Sequence, residues 1–234
     1  MMLNRQRCDE LSRNWHQVVT EVAEYCQQFG RGDDDVRVIG VTKYVDVHTT
    51  QALIQAGCRD VGESRPQLLW DKADQIGDAT SLTWHLIGHL QRNKVRRVLR
   101  FPVWIHSIDS PRILDAVADE AVGQQKSIPV LLEANISGDS SKTGMTPDEL
   151  RQLVDQLPGN GVQIKGLMAM AGLGSDAKTA REQFAQTREL RDELSQRCGL
   201  ELPELSMGMS GDFPDAIAEG ATMVRIGTRL FKST

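Results

Sequence analysis

The run Val36-Arg37-Val38-Ile39-Gly40-Val41-Thr42-Lys43-Tyr44 carries the residue in this chain best suited to covalent chemistry. Five of its nine residues are β-branched, which predicts a buried strand over 36–44 with Lys43 toward its far end. An amine at the rim of a sheet is partly desolvated, and desolvation favours the free base, the form that attacks an aldehyde to give a Schiff base. The plainer reading is a lysine that closes a strand and reaches back to water. A second group lies far along the chain. Ser210-Gly211-Asp212 and Arg225-Ile226-Gly227-Thr228 pair hydroxyls with glycines, the residue types that cradle phosphate when brought together at a helix N-terminus. Taken singly, Ser210 reads as an ordinary N-cap and Gly227 as an ordinary turn.

These residues need a frame. The 234 residues suffice for one large core, and the apolar (40%) and charged (25%) fractions suit a globular protein. A net charge of -5 argues against nucleic acid as the main partner. The polar opening, Asn4-Arg5-Gln6-Arg7, offers no apolar signal core, and no apolar run reaches membrane-spanning length. Cys8, Cys26, Cys58 and Cys198 are too dispersed for a zinc site and suit a reducing cytoplasm as free thiols.

Residues 5–29 predict an amphipathic helix, with Leu11, Trp15, Val18, Val22 and Cys26 on one stripe. Strands then alternate with helices. The predicted strands cover 36–44, 60–64, 84–88, 103–108, 128–135, 162–170, 202–209 and 222–226. The predicted helices cover 48–56, 67–75, 93–100, 110–123, 147–157, 177–198 and 212–219, and Thr146-Pro147-Asp148-Glu149 opens one of them as N-cap and first turn. Eight strands in strict alternation predict a single α/β domain, a (β/α)₈ TIM barrel at 36–231 with an extra N-terminal helix at 1–29. A doubly wound open sheet is the alternative. The leading helix is expected on the barrel base, in a monomer, with a dimer as the alternative.

In such a barrel the chemistry sits at the C-terminal strand ends. Lys43, Glu63, Ser64, Gly88, His89, Asn135, Ser137, Met168, Met170, Ser210, Gly211, Gly227 and Thr228 fall there. The loops after strands seven and eight are a recurrent phosphate site in barrels, which brings Ser210, Gly227 and Thr228 together. A Schiff-base lysine opposite a phosphate site admits pyridoxal 5′-phosphate or a phosphorylated sugar of the class I aldolase type.

Several longer motifs bear on that choice. Val41-Thr42-Lys43-Tyr44, Trp84-His85-Leu86-Ile87-Gly88-His89-Leu90-Gln91-Arg92-Asn93-Lys94, Asn135-Ile136 and Lys142-Thr143-Gly144 form the first set. Gly166-Leu167-Met168-Ala169-Met170, Leu205-Ser206-Met207-Gly208-Met209-Ser210 and Val224-Arg225-Ile226-Gly227-Thr228 complete it. Together, over about residues 36–231, they resemble the YggS/PROSC family of pyridoxal-phosphate-binding proteins. The resemblance implies a fold-type III barrel like the N-terminal domain of alanine racemase. It implies pyridoxal 5′-phosphate covalently bound at Lys43 as an internal aldimine, the phosphate on Ser210, Gly227 and Thr228, and Arg225 at the pyridine nitrogen. His85 and Met209 become wall residues. Where the family commonly has Gly-Glu-Asn, this chain has Gly62-Glu63-Ser64, a departure that puts the family's asparagine contact to the cofactor in question and leaves Ser64 with a hydroxyl able to donate there.

An arginine does not surrender its proton, so Arg225 leaves the pyridine nitrogen unprotonated and weakens the ring as an electron sink. Racemization needs a second acid/base group on the opposite face. Tyr25 lies on the leading helix, and strand alternation points Tyr44 away from the side that Lys43 faces. The reading is a cytoplasmic carrier active in cofactor homeostasis, with little or no turnover and cofactor-dependent apoenzymes as its partners. The alternative is a racemase or lyase of the alanine racemase type.

Other signals carry less. Lys142-Thr143-Gly144 lacks the Ser-x-x-Lys partner of penicillin-recognising enzymes. His85 and His89 lack a third metal ligand, and Arg92, Lys94, Arg96, Arg97 and Arg100 read as a solvated helix face.

Overall fold

The computed structural model describes residues 4–77, 81–139, 143–172 and 174–232. Eight parallel strands close a barrel in sequence order: β1 (Arg37–Val41), β2 (Asp60–Glu63), β3 (Thr83–Leu86), β4 (Val103–Ile108), β5 (Ile128–Ala134), β6 (Val162–Ala169), β7 (Glu204–Met209) and β8 (Met223–Ile226). β8 returns to pair with β1, Ile39 against Arg225 and Gly40 against Ile226. This closure is the TIM barrel and excludes the open doubly wound sheet.

The helices between are α2 (Val47–Gln55), α3 (Pro66–Ile76), α4 (Val95–Val98), α5 (Pro111–Gly123), α6 (Pro147–Val154), α7 (Ala177–Cys198) and α8 (Phe213–Ala218). α6 opens as its sequence predicts. The Thr146 hydroxyl accepts from the Glu149 N–H while Glu149 accepts from the Thr146 N–H, with Pro147 at the first position. The basic segment is shorter than the 93–100 helix expected: a 3₁₀ turn over Arg92–Lys94 runs into the single turn of α4.

The leading helix α1 (Arg5–Gln28) buries the stripe read from its spacing, Leu11, Trp15, Val18, Val22 and Cys26. Its place differs from expectation. It packs not on the barrel base but beside α2, α8 and a last short helix, α9 (Thr228–Phe231). A repeating βα unit would put a full helix after β8, between α8 and α2. α9 is a single turn, and α1 fills the gap from the other end of the sequence. Arg229 pairs with Glu21 at 2.5 Å, and Asn14 donates to the carbonyl of Leu230 at 3.0 Å, so the two chain ends brace each other.

Inside the barrel the filling is mixed. Ile39, Leu131, Met168 and Met223 form a small apolar cluster against Trp104. Polar side chains fill much of the rest, and they lead to the site.

Candidate functional site at the barrel mouth

β1 ends at Val41, earlier than the 36–44 strand expected, and Lys43 lies in the turn that follows, where the Val45 N–H bonds the Thr42 carbonyl at 3.0 Å. Lys43 is half-buried and its Nζ lies 5.0 Å from the centre of the Tyr44 ring. Strand alternation does not govern these two residues, because the strand has already ended. Tyr44 is therefore beside the lysine rather than turned away from it, with 86% of its surface exposed.

The turn is tied down from below. The Thr42 hydroxyl donates to Glu63 Oε1 at 2.6 Å, and Lys72 on α3 donates to the same oxygen at 2.5 Å. Lys72 also donates to the Thr42 carbonyl at 2.8 Å. Glu63 thus serves Thr42 and Lys72, not Lys43. The sequence holds a sign of this: Lys72 shares the buried face of α3 with Leu69 and Ala73, where only a paired lysine fits.

Arg225 projects inward from β8 and is buried. Its Nη1 donates to the Ser206 carbonyl at 2.6 Å and hydroxyl at 2.7 Å, and its Nη2 donates to the Ala169 carbonyl at 2.8 Å. Among the described residues no carboxylate forms an ion pair with it. Burial pulls the guanidinium down to about 10, while Asp212 and Glu133 act in the opposite direction.

His85 lies deeper than a wall residue. It is fully buried, and its ring nitrogens are engaged by His106 and by Asp60, each at 2.9 Å. No ring nitrogen is left for a ligand at the mouth. His89 is separate from it, at the rim, 2.6 Å from Asp109. Among the described residues no group of histidine, cysteine and carboxylate could hold a metal.

Met209 ends β7 opposite Arg225 in register, 40% exposed at the mouth. Its N–H bonds Asp212 Oδ1 at 2.6 Å, which shapes the turn holding Ser210. Ser210 Oγ accepts from the Gly227 N–H at 3.3 Å, so the loops after β7 and β8 do meet. Gly227 is the N-cap of α9, with no side-chain cap there, and Thr228 is its first residue. Gly208 makes the approach possible. Its φ is +88°, and a Cβ would stand 2.5 Å from that of Ala216.

Ser64 follows β2, half-buried, with its carbonyl against Gly88, where a Cβ would come within 2.3 Å of it. Across the mouth, Glu133 is buried on β5 and accepts from the Thr143 hydroxyl. Burial pushes its carboxyl up, with the Thr143 bond opposing. The Asn135 side chain donates to the Asp139 carbonyl at 2.8 Å. Lys142 lies outside the described residues, and with it the Lys142-Thr143-Gly144 motif as a unit. Within the basic run, Arg97 stacks over Trp70 at 4.3 Å beside Asp71 and Asp74, and Arg96 faces Glu120. No described helix is long and apolar enough to cross a membrane.

One rim therefore holds an amine, a buried cation with no carboxylate partner, and a loop pair with an uncapped helix start. Residues 21–234 match the family model of the alanine racemase N-terminal domain. The chain is 37% identical over 227 residues to a pyridoxal phosphate homeostasis protein of Aquifex aeolicus, covering 96% of both chains. PipY of Synechococcus elongatus, solved with PLP bound, is 38% identical with a TM-score of 0.79, covering 90% of this chain and all of that one. An alanine racemase from Corynebacterium glutamicum, 14% identical, shares the fold at a TM-score of 0.72, over 97% of this chain and 61% of its own.

Proposed function

The chain belongs to the pyridoxal phosphate homeostasis proteins, built on the alanine racemase N-terminal domain, and from that premise we propose that it binds pyridoxal 5′-phosphate at the barrel mouth and holds it for delivery. The observation that carries this reading is Arg225, a buried cation on the inner face of β8 with no carboxylate partner among the described residues. Such a group suits an electron-rich ring nitrogen better than a carboxylate-lined metal site does. Lys43 is the covalent anchor. Ser210, Gly227 and Thr228 take the phosphate, which satisfies the uncapped start of α9. Met209 and Ser64 line the walls, and His85 acts from beneath.

When bound, pyridoxal phosphate supplies an aldehyde for a lysine amine and a ring that withdraws electrons from what is attached to it. Arg225 limits the second property, because it offers an N–H to the ring nitrogen and keeps its proton. Racemization also needs acid/base groups on both faces. Tyr44 shares a turn and a side with Lys43. Tyr25 packs against Phe29 and Phe213 on the outer layer. Both facts support little or no turnover. The partners are then apoenzymes that need the cofactor, met in the cytoplasm by a monomer.

The test is absorbance of the purified protein with added pyridoxal phosphate, before and after borohydride, followed by peptide mapping. A near-visible band that borohydride abolishes, with the cofactor mass on the Lys43 peptide and neither in Lys43→Ala, is the expected result. Absence of the band in the wild type overturns the reading. Rapid racemization of free amino acids by the loaded protein overturns the carrier role alone.

A further inference from the structure

A line of hydrogen bonds runs from Arg225 through the barrel interior to the start of β2. Arg225 Nη1 lies 2.7 Å from Ser206 Oγ, and Ser206 Oγ lies 2.9 Å from His106 Nδ1. His106 Nε2 lies 2.9 Å from His85 Nδ1, and His85 Nε2 lies 2.9 Å from Asp60 Oδ1. The line joins β8, β7, β4, β3 and β2. Ser206, His106 and His85 are fully buried.

With both rings neutral, as their full burial favours, the carboxylate end fixes the direction of every bond. A guanidinium only donates and an ionised carboxylate only accepts. Ser206 Oγ therefore accepts from Arg225 and passes its own proton to His106 Nδ1. His106 Nε2–H donates to His85 Nδ1, and His85 Nε2–H donates to Asp60. Each histidine is neutral, with the proton on Nε2, and each proton in the line is used once. Running the line backwards would require a charged His85 or a protonated Asp60.

Burial is the largest influence on both rings, Arg37 and Arg225 also disfavour a charged ring, and Asp60 and Glu204 oppose them at His85. Arg37 on β1 stands 3.9 Å from Asp60 Oδ1 and already offsets that carboxylate, and it also lies over the Trp104 ring on β4. Glu204 on β7 and Arg225 on β8 are the other charges that act on the histidines, and Glu133 on β5 and Asp212 act on Arg225. Burial holds both histidines below their ordinary value.

We propose that Ser206, His106, His85 and Asp60 are positioning residues that set the plane of the Arg225 guanidinium toward the cofactor ring. The proposal rests on the reading that Arg225 faces the pyridine nitrogen. The neighbouring interior positions, Ile39, Leu131, Met168 and Met223, are apolar, so the barrel does not need polar filling for its own sake. Burying this many polar groups costs free energy unless every one is paired. A neutral line orients Arg225 without adding a counter-charge, so the arginine keeps its full charge for the site.

Two measurements test this. Long-range ¹H–¹⁵N spectra of the cofactor-free wild type, assigned through His85→Gln and His106→Gln, report the ring protons without any ligand. Both rings neutral with the proton on Nε2 at neutral pH, and charging only below the ordinary histidine range, is the expected result. A ring charged at neutral pH or a proton on Nδ1 overturns the proposal. In the loaded protein, Arg225→Gln sets the scale of the change in the position and pH titration of the cofactor absorption band. His106→Phe should move the band in the same sense and weaken cofactor retention about tenfold, with His106→Gln recovering part of both. A band that responds to Arg225→Gln and not to His106→Phe overturns the positioning role and spares the reading of Arg225. A band indifferent to Arg225→Gln overturns that reading, and the positioning role of the line falls with it.

Discussion

Lys72 Nζ donates to the carbonyl of Thr42 at 2.8 Å, one peptide before Lys43, while sharing Glu63 Oε1 with the Thr42 hydroxyl. A buried ion pair on the outer side of the sheet thus holds the turn that carries Lys43, the proposed anchor. Removing one partner leaves a buried charge alone. Lys72→Met should lower stability by about 3–5 kcal/mol in urea unfolding and loosen cofactor binding. Adding Glu63→Gln to Lys72→Met should recover a large part of the stability, because no buried charge is then stranded. A double variant as unstable as the single one would show that packing, not charge, is what Lys72 provides.

The N-terminal helix closes the ring of helices, so its apolar stripe behaves as core. Trp15 is buried beside the end of α2, with its ring nitrogen 3.4 Å from where a Cβ on Gly57 would stand. Trp15→Ala should cost about 3–5 kcal/mol, the range for aromatic truncation in a core. Val19→Ala on the exposed side of the same helix should stay within about 0.5 kcal/mol. Chemical denaturation of both variants decides whether α1 is core or appendage.

The buried histidines predict a pH dependence of stability in the absence of cofactor. Their folded values lie below the ordinary 6.5, so the unfolded chain binds more protons as pH falls through that value. The stability they allow is present above 6.5 and is lost as the pH falls toward their folded values. Glu133 acts in the opposite sense: its carboxyl is raised, so it opposes folding as the pH rises above the ordinary carboxylate range. Glu133→Gln should therefore be more stable than the wild type at neutral pH, with the difference fading in acid. Unfolding free energies across the acid range check both signs, and a Glu133→Gln variant no more stable at neutral pH would count against its burial as a charge.

These features differ in how far the sequence betrays them. The stripe Leu11, Trp15, Val18, Val22 and Cys26 is legible because helical spacing is local, and the strand–helix alternation is legible for the same reason. The exact end of β1 is not. Thr42 and Lys43 continue a β-prone run, yet the Thr42 carbonyl is taken by Lys72, on a helix three elements later, and by the Val45 N–H rather than by a neighbouring strand. The place of α1 depends on α9 being a single turn, and α9 lies at the opposite end of the described residues from α1. The line beneath Arg225 joins His106 to Ser206, 100 residues apart. Its only local trace is a polar residue at an inward position in each of several buried strands. Ser210, Gly227 and Thr228 are legible because barrel topology itself brings the loops after β7 and β8 together.

Gly208 offers the most direct way to separate the loop geometry from the rest of the barrel. Its φ of +88° disfavours any side chain, and a Cβ would stand 2.5 Å from the Cβ of Ala216 and 3.0 Å from the Cα of Phe213. Gly208→Ala must push α8 away from β7, and that movement carries the turn in which Met209 bonds Asp212 and Ser210 meets Gly227. The variant should lose more than about 1 kcal/mol of stability, since the native conformation is incompatible with the new side chain. It should also lose affinity for pyridoxal phosphate beyond what that destabilisation explains, because the loops proposed to take the phosphate part while Lys43 stays in place. Gly159→Ala, with nothing within 4 Å of an added Cβ, is the control and should change neither quantity. Calorimetric titration with pyridoxal phosphate, at a temperature where both variants are folded, reads the result. Unchanged affinity in Gly208→Ala would remove the loops after β7 and β8 from the phosphate site.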